Sequence, residues 1–288
     1  MSPHHLALFL LVIGNLAASL SDVAVKLIEG GISPFQYIFV RQLASLLLIL
    51  PFYLRQQPNK RSLKQAPITL LRAHLILIGS GCMMVAVTHL PLATANAVFY
   101  AAPILMLPLS ILFLKEHPPL SKVLLTCFGF LGVLVVLRPD HFHWAALFAL
   151  GTATTLAMFN ILVRKLPSEQ SVVTTLWWTT LFSLPISAVL AGFYWQPMTG
   201  QGQELVLVIA SAVCILSYNG LAVLAYQKAP AGEIALAEYS GLVFVTLFGI
   251  WWFDEIPDWL TAVGILMIVL PLLPWNKRRR LTNREASD

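Results

Sequence analysis

Residues 228–258 read KAPAGEIALAEYSGLVFVTLFGIWWFDEIPD, a long apolar stretch that begins beside a proline and ends in an acidic cluster. Within it, Glu238 is followed directly by Tyr239. A carboxylate in such a stretch is costly to place in lipid, so by default it faces a cavity or a partner. The stretch therefore predicts a membrane-spanning helix that carries a functional acidic side chain.

An earlier stretch repeats this pattern. Residues 89–119 read HLPLATANAVFYAAPILMLPLSILFLKEHPP. At an offset of 139 residues the two copies share the pairs Pro91–Pro230, Tyr100–Tyr239, Glu116–Glu255, Pro118–Pro257 and Lys26–Lys165. Glu238 aligns with Phe99, and Glu233 aligns with Thr94. The chain is therefore doubled, and the second copy carries carboxylates where the first carries neutral residues.

The composition is that of an integral membrane protein. Of the 288 residues, 58% are hydrophobic and 11% are charged, with a mean hydropathy of +0.79, whereas soluble domains carry about 25% charged residues. Basic side chains at the ends of apolar helices account for the pI near 9.2, so we expect no nucleic-acid partner. Cys82, Cys127 and Cys214 lie in apolar runs without a CxxC spacing, which predicts small buried residues and no disulfide or metal site.

Ten apolar segments are long enough to span a bilayer, which takes about 20 mostly apolar residues. Prolines and glycines separate most of them, and the first segment is too long for the core of a signal peptide. We expect an all-α protein embedded in the lipid bilayer, with spans at roughly 5–28, 34–54, 72–90, 92–114, 119–138, 143–165, 171–193, 204–227, 230–253 and 256–275.

The distribution of Lys and Arg predicts the orientation of these spans. With the N-terminus in the cytoplasm, the outer side receives only Lys26 and Arg138, while Arg41 lies within the second span. The cytoplasmic side receives Arg55, Lys60, Arg61, Lys64, Arg72, Lys115, Lys122, Arg164, Lys165, Lys228, Lys277, Arg278, Arg279, Arg280 and Arg284. This bias predicts a protein of the cell inner membrane with both termini in the cytoplasm.

Five spans per copy is an odd number, so the second copy crosses the membrane upside down relative to the first. Inverted repeats of this kind are common in secondary transporters, where the substrate site lies between the halves near the midplane. We expect ten transmembrane helices as two inverted five-helix repeats, 1–140 and 141–280, around a central cavity, with a cytoplasmic tail at 281–288.

Several motifs resemble the drug/metabolite transporter superfamily, in its ten-helix EamA-type branch. They are the KEHP box at 115–118, the DEIP box at 254–257, and Lys26, Pro34, Arg41, Gly129, Gly132 and Gly264. The resemblance covers about 5–275 and implies a metabolite permease, with peripheral fifth and tenth helices that could join two copies as a homodimer. The segment AEYSGLVF at 237–244 resembles a subgroup near importers of S-adenosylmethionine and flavin-type vitamins.

Glu238 is the first candidate for a substrate-binding residue, and Tyr239 is grouped with it. Glu238 would serve as the counter-ion of a cationic group on the substrate, or as a proton carrier. A structural carboxyl group hydrogen-bonded to a neighbouring helix is the alternative. Glu233 lies five residues earlier, about 140° around the helix, and we expect it to reach toward Lys228 at the cytoplasmic interface.

The first two helices carry further charged candidates. A polar stripe runs along the first helix at spacings of four, three and four residues, through Asn15, Ser19, Asp22 and Lys26. Asp22 either pairs with Lys26 at the outer end of the helix or titrates at the outer mouth of the cavity. Arg41 keeps its proton and needs an acceptor. It either reaches the outer end, with Glu29 or Asp22 as partner, or binds a substrate carboxylate.

The remaining candidates lie on the fourth, sixth, seventh and eighth helices. Asn96 and Tyr100 are one helical turn apart, and Pro103 after them frees backbone carbonyls. These two residues either line the cavity or join helices by hydrogen bonds. Trp178 and Tyr218 could stack on a planar substrate, although aromatic residues near span ends usually mark the membrane interface. Asn160, on the sixth helix, completes the set.

The sequence contains no HExxH, P-loop or nucleophile-elbow motif. We therefore expect no cofactor, and any uphill transport would use a coupled proton or an exchanged solute. Asp140, His141 and His143 alone are weak evidence for a metal site. An intramembrane enzyme using His74 or His89 is a weaker alternative because the titratable groups are scattered, and a sensor is weaker because the sequence shows no signalling module.

Taken together, these features favour a secondary transporter that moves a small polar metabolite by alternating access. The preferred solute is an amino acid, an amine or a compound like S-adenosylmethionine. A permease for an aromatic vitamin such as riboflavin, with the same fold, is the alternative.

Overall fold

The computed structural model describes residues 3–28, 31–115, 119–137, 143–167, 169–197, 202–230 and 234–270. Helices account for the regular structure in these ranges, as the sequence predicts. The α-helices are α1 (Pro3–Leu27), α2 (Pro34–Arg55), α3 (Ala66–His89), α4 (Leu92–Phe99), α5 (Ala102–Leu109), α6 (Leu120–Leu137), α7 (Ala145–Val163), α8 (Val172–Phe193), α9 (Gln203–Lys228), α10 (Ser240–Phe253) and α11 (Trp259–Val269).

Some residues singled out from the sequence lie outside the described ranges. They are Glu29, Glu116, Pro118, Arg138, Pro139, Asp140, His141, Glu233 and the basic tail beyond residue 270.

The helices have the length and surface of membrane spans. Within the described ranges, seven helical segments are long and apolar enough to cross a bilayer: His4–Leu27, Pro34–Arg55, Ala66–His89, Leu92–Leu114, Ala145–Val163, Val172–Phe193 and Gln203–Lys228. Large apolar side chains cover the outside of the bundle, among them Phe52, Leu112, Phe193, Trp251 and Trp259. Because water would disfavour such a surface, the multi-pass membrane fold predicted from composition is confirmed.

The fourth and ninth spans both change helical geometry at the aligned tyrosines. The α4 helix ends just before Tyr100, and α5 begins two residues after it; a 3₁₀ turn, Ala235–Tyr239, leads directly into α10. Pro103 stands in the first turn of α5, where its missing N–H costs no helical hydrogen bond. The break predicted from this proline therefore lies immediately ahead of it.

A rare backbone conformation also recurs at aligned positions. Lys115 and Asp254, related by the offset of 139 residues, have φ values of 55° and 51°, and they are the non-glycine residues with positive φ in the described ranges. Left-handed backbone is unfavourable for a residue that carries a Cβ. Each of the two residues ends a helix in this conformation, so the two halves share a detailed backbone feature.

The packing of the helices is symmetric under exchange of the two halves. The α1 helix packs on α9, and α7, its counterpart, packs on α3; the pairs α2–α8 and α6–α11 join counterparts directly, and α4 of the fourth span packs on α10 of the ninth. Two like five-helix halves related by an axis would produce this pattern. The space between the halves is therefore the natural place for a shared cavity.

The end of α1 is tied to the other half of the chain. Lys26 Nζ forms an ion pair with Glu255 Oε1 and donates to the carbonyl oxygen of Leu90 over 3.5 Å, while Glu255 Oε2 accepts from the N–H of Leu92 over 2.8 Å. Of the two alternatives for Asp22, the pairing with Lys26 is therefore wrong. Glu255, from the second half, pairs with this lysine. Asp22 lines the cavity instead.

Candidate functional site

A cavity lies between the two halves, with about 930 Å³ of non-atom space when the open solvent at its mouth is included. Its walls come from α1 to α5, α7, α9 and the 3₁₀ turn ahead of α10. Its polar lining consists of Asn15, Asp22, Arg41, Ser80, Asn96, Tyr100, Thr152, Thr155, Asn160, Tyr218, Asn219 and Glu238. Apolar and aromatic side chains complete the wall, a mixture that is typical of small-molecule sites.

Glu238 is buried in the wall of this cavity with 4% of its surface exposed. The Tyr226 hydroxyl donates to Glu238 Oε1 over 2.7 Å. The Tyr218 hydroxyl lies 3.4 Å from both carboxylate oxygens, and Asn160 Nδ2 donates to Oε1 over 3.5 Å. Neutral donors alone therefore surround the carboxylate in the described part of the chain.

The turn that carries Glu238 is fixed against α1 from the other half. Asn15 Nδ2 donates to the carbonyl oxygen of Ala237 over 3.1 Å and to Ser240 Oγ over 3.3 Å. Ser19 Oγ lies 3.3 Å from the carbonyl oxygen of Gly241. The polar stripe on the first helix thus satisfies backbone groups where the helix geometry changes, which holds Glu238 at the junction of the two repeats.

Asp22 and Arg41 form a second charged region in the same cavity. Arg41 is 1% exposed; its guanidinium donates to Ser80 Oγ and lies 3.5 Å from the Tyr37 hydroxyl. Its Nε has no partner in the described structure. Asp22 is 8% exposed and lies near Asn96 and Arg41. Arg41 is therefore buried and does not extend to the outer surface, while the structural role beside Asp22 and the binding of a substrate carboxylate both remain predictions.

The structure places six of the eight predicted site residues on the cavity wall: Asp22, Asn96, Tyr100, Asn160, Tyr218 and Glu238. The other two lie elsewhere. Tyr239 is fully buried and packs edge-to-face on Tyr100, with 6.2 Å between ring centroids. Trp178 donates its indole N–H to the carbonyl oxygen of Arg61 over 3.1 Å, in the connection between α2 and α3.

Sequence reasoning missed three residues around the site. Tyr226 makes the shortest hydrogen bond to Glu238, and its position eight residues after Tyr218 on α9 was the available signal. Phe159 lines the cavity directly before Asn160. Arg72, assigned only to the cytoplasmic side, is 1% exposed and stacks on the Phe159 ring.

Close helix packing shapes the wall between α3 and α7. A Cβ atom added at Gly79 would lie 2.6 Å from Thr155 Oγ1, a distance that a real side chain does not tolerate. Because both residues line the cavity, the absence of a side chain at position 79 sets how closely the two repeats approach there.

The described residues contain no cluster of three His, Cys, Asp or Glu side chains that could hold a metal ion. His143 Nδ1 accepts from the N–H of Ala145 over 3.2 Å, and its ring packs on Trp144 with 5.6 Å between centroids.

A family model for the EamA-like transporter family matches the chain twice, over residues 5–138 and 143–273. Named relatives span nearly the whole chain. An S-adenosylmethionine uptake transporter of Rickettsia felis is 26% identical over 255 residues, which are 88% of this chain and 86% of the relative. A riboflavin transporter of Vibrio cholerae is 28% identical over 290 residues, which are 98% of this chain and 97% of the relative.

Two further matches complete the comparison. The pseudopaline exporter CntI of Pseudomonas aeruginosa is 24% identical and covers 94% of this chain and 96% of its own length. One solved structure, described only as a crystal structure of a protein, superposes with a TM-score of 0.68 at 18% identity and covers 91% of this chain and 94% of its own. That likeness bears on the fold alone.

Proposed function

The chain belongs to the EamA-like transporter family, and on that premise we propose that it carries a zwitterionic solute with an extra cationic group, of the S-adenosylmethionine type. The proposal rests on the surroundings of Glu238. Its carboxylate is buried in the cavity among neutral donors, with no cationic partner in the described structure. A buried charge without a counter-ion is costly. A cationic group on the solute would supply the missing charge during transport.

Arg41 supports the zwitterionic character of the solute. It lines the same cavity, cannot lose its proton, and has an unpartnered Nε. A guanidinium of this kind suits the carboxylate of an amino-acid group. S-adenosylmethionine carries a sulfonium, an ammonium and a carboxylate on one flexible arm. Glu238 would pair with one of its cationic groups, and Arg41 would pair with its carboxylate.

The apolar and aromatic part of the wall suits the remaining part of such a molecule. Phe99, Tyr100, Phe159 and Tyr218 line the cavity beside the amide groups of Asn96 and Asn160. Aromatic rings stack on a planar heterocycle, and amide groups pair with its ring nitrogens and amino group. Tyr239 and Trp178 do not contribute to this surface, so we leave them out of the proposed binding set.

Movement of the solute would follow from alternate opening of the cavity to the two sides of the membrane. The proposed orientation places both termini in the cytoplasm of the inner membrane, so the ion pair of Lys26 with Glu255 closes the outer end. A gradient of protons or of an exchanged solute would drive the cycle. We also propose that α6 and α11, which pack on each other, form the contact of a homodimer.

Uptake by purified protein in liposomes tests this proposal. Wild-type protein should exchange labelled S-adenosylmethionine against internal unlabelled solute, and Glu238→Gln should lose at least about 90% of the rate, because a charged hydrogen bond contributes on the order of tenfold or more. Glu169→Gln is the matched control: Glu169 is an exposed carboxylate, 79% accessible, bonded to Lys64. Full activity of Glu238→Gln would refute the assigned role of Glu238.

Riboflavin is the second candidate solute. The aromatic residues of the cavity wall favour it, because the isoalloxazine ring is planar and stacks well. It carries no cationic group at neutral pH, and it leaves Glu238 without a counter-ion. The same liposome assay with labelled riboflavin decides between the two: transport of riboflavin that survives Glu238→Gln, together with no transport of S-adenosylmethionine, would replace the primary proposal.

A further inference from the structure

Arg72 is a buried cation without a counter-ion in the described structure. It is 1% exposed and lies on α3, inside a segment apolar enough to span the membrane. Its Nε donates to the carbonyl oxygen of Phe159 over 3.2 Å, and its guanidinium carbon lies 4.1 Å from the centroid of the Phe159 ring. Neither Nη1 nor Nη2 has a hydrogen-bond partner among the residues that the structure describes.

This arrangement is unfavourable for a resting protein. Arginine keeps its charge, and its two Nη atoms carry four of its five N–H donors. One carbonyl and one aromatic face satisfy only part of that capacity. Charged side chains inside the membrane pair with one another or with backbone carbonyls, and they mark the paths of ions and substrates. The two free Nη groups are also the edge of the guanidinium that binds a carboxylate with two parallel hydrogen bonds.

The position of Arg72 connects it to the cavity. Leu75 and Ile76, three and four residues further along α3, line the cavity, as does Phe159. Residues at these spacings share one face of a helix, so Arg72 lies on the cavity face, one turn closer to the predicted cytoplasmic end. Phe159 contacts both the guanidinium and the cavity, so rotation of its ring would bring the two free Nη groups into reach of a solute.

We propose that Arg72 is a second binding site for the anionic group of the transported solute, a carboxylate, and that Phe159 covers this site until the cavity opens toward the cytoplasm. The proposal rests on the function proposed above and extends it. Arg41 binds Ser80 on α3, and Arg72 lies eight residues earlier on the same helix, a rise of about 12 Å. The two guanidinium groups thus mark successive positions of the carboxylate along the path.

Uptake of a solute with and without its carboxylate tests this assignment. The probes are S-adenosylmethionine and its decarboxylated form, and the proteins are wild type, Arg72→Met and Arg55→Met. Arg55 is an exposed arginine at the end of α2 on the same side, so Arg55→Met controls for loss of a positive charge. We expect Arg72→Met to slow uptake of S-adenosylmethionine at least about tenfold and uptake of the decarboxylated form less than about twofold. Equal losses with both probes, or no loss, would overturn the proposal.

The thermal stability of the ligand-free protein gives an independent readout. Removal of an uncompensated buried charge relieves a cost, so Arg72→Met should leave the apparent Tm unchanged or raise it. A fall in Tm larger than the few degrees that loss of the Nε hydrogen bond and of the Phe159 ring contact would cause would mean that further protein groups pair with the guanidinium, which would overturn the proposal. Glu233→Gln is measured alongside, because loss of a counter-ion at position 233 would reproduce the transport defect of Arg72→Met. Unchanged uptake by Glu233→Gln is the expected result.

Failure of the proposed function would look different. If wild-type protein transports neither probe, S-adenosylmethionine is not the solute, and the comparison moves to lysine with cadaverine and ornithine with putrescine, which differ in the same way by a carboxylate. If none of these is transported, the ligand-free Tm of Arg72→Met decides. A fall larger than loss of the Phe159 contacts would cause overturns the anion site, and a smaller fall, no change or a rise supports it.

Discussion

The hydroxyl oxygen of Tyr226 lies 2.7 Å from Oε1 of Glu238, which makes a residue of α9 the nearest hydrogen-bond donor to the carboxylate. Asn160 Nδ2 donates to the Tyr218 hydroxyl over 3.2 Å, and both groups also lie beside the carboxylate. The orientation of the carboxylate therefore depends on a side chain that does not line the cavity itself. Donors of this kind position a binding group and need not touch the solute.

Tyr226→Phe removes this hydroxyl and keeps the ring. We expect the KM for the transported solute to rise roughly tenfold, since a hydrogen bond to a charged group contributes about 1.5–3 kcal/mol, while the maximal rate changes little. Initial uptake rates over a range of solute concentrations measure both quantities. Tyr218→Phe, which removes a donor at 3.4 Å, should have the smaller effect on KM. The reverse ranking would contradict the hydrogen-bond geometry.

The ion pair of Lys26 with Glu255 predicts control of the outer opening. Lys26→Met should leave this end open more often, because Glu255 then keeps, among the described residues, the hydrogen bond from the N–H of Leu92 alone. The test uses a cysteine at Asn96 in a background where Cys82, Cys127 and Cys214 are replaced by serine. A membrane-impermeant thiol reagent added outside should label this cysteine several times faster in Lys26→Met than in its parent.

The charge swap Lys26→Glu with Glu255→Lys is the control for that experiment. Because it restores opposite charges across the same gap, labelling should return toward the slow rate of the parent. Fast labelling in both variants would show that the charge pair does not hold the outer end closed.

The contact of Gly79 with Thr155 predicts a stability defect with a specific rescue. Gly79→Ala places a Cβ 2.6 Å from Thr155 Oγ1, and overpacking of this kind costs about 1–3 kcal/mol. The apparent Tm of the purified protein should fall. Thr155→Ala removes the clashing oxygen, so the double variant should regain most of the loss. A double variant no more stable than Gly79→Ala would place the cause of the defect elsewhere.

The exposed pair of Lys64 with Glu169 should have little effect on stability. The hydrogen bond and charge of Lys64, over 2.7 Å, hold the pKa of Glu169 below its usual value. A carboxyl group whose pKa is lowered by folding stabilises the folded state at pH values above its unfolded-state pKa. This stabilisation is lost as the pH falls through the folded-state pKa. Solvent screens so exposed a pair. Glu169→Gln should therefore leave the Tm at pH 7 and at pH 4 equal to wild type, and a clear drop at pH 7 alone would contradict this.

The sequence predicted the doubled chain because prolines, tyrosines and acidic residues recur at one offset. In the structure, Lys115 and Asp254 share a rare backbone conformation at the same offset. It also selected Glu238, because a carboxylate within an apolar span has few tolerable environments. The sequence could not set the rotation of each helix. In a membrane both the lipid-facing and the buried sides of a helix are apolar, so hydrophobic periodicity carries little information.

Trp178 and Arg72 show what goes wrong when the rotation of a helix cannot be predicted from its sequence. Trp178 belongs to a span rich in hydroxyl residues, yet its indole turns to the connection at Arg61. Arg72 lies where a positive charge is expected to reach water, yet its guanidinium is buried on the Phe159 ring. Both positions depend on contacts between residues more than 80 positions apart in the chain, which local patterns do not encode.

Equilibrium binding tests the role of Glu238 most directly. Wild-type protein and Glu238→Gln, each in lipid nanodiscs, are titrated with S-adenosylmethionine and with S-adenosylhomocysteine, which lacks the charged sulfonium but keeps every other group. Wild-type protein should bind S-adenosylmethionine more tightly, by roughly tenfold or more for a buried charge pair, and Glu238→Gln should remove that preference while binding S-adenosylhomocysteine as before. Retention of the full preference in Glu238→Gln would contradict the assignment of this carboxylate as the counter-ion of the transported cation.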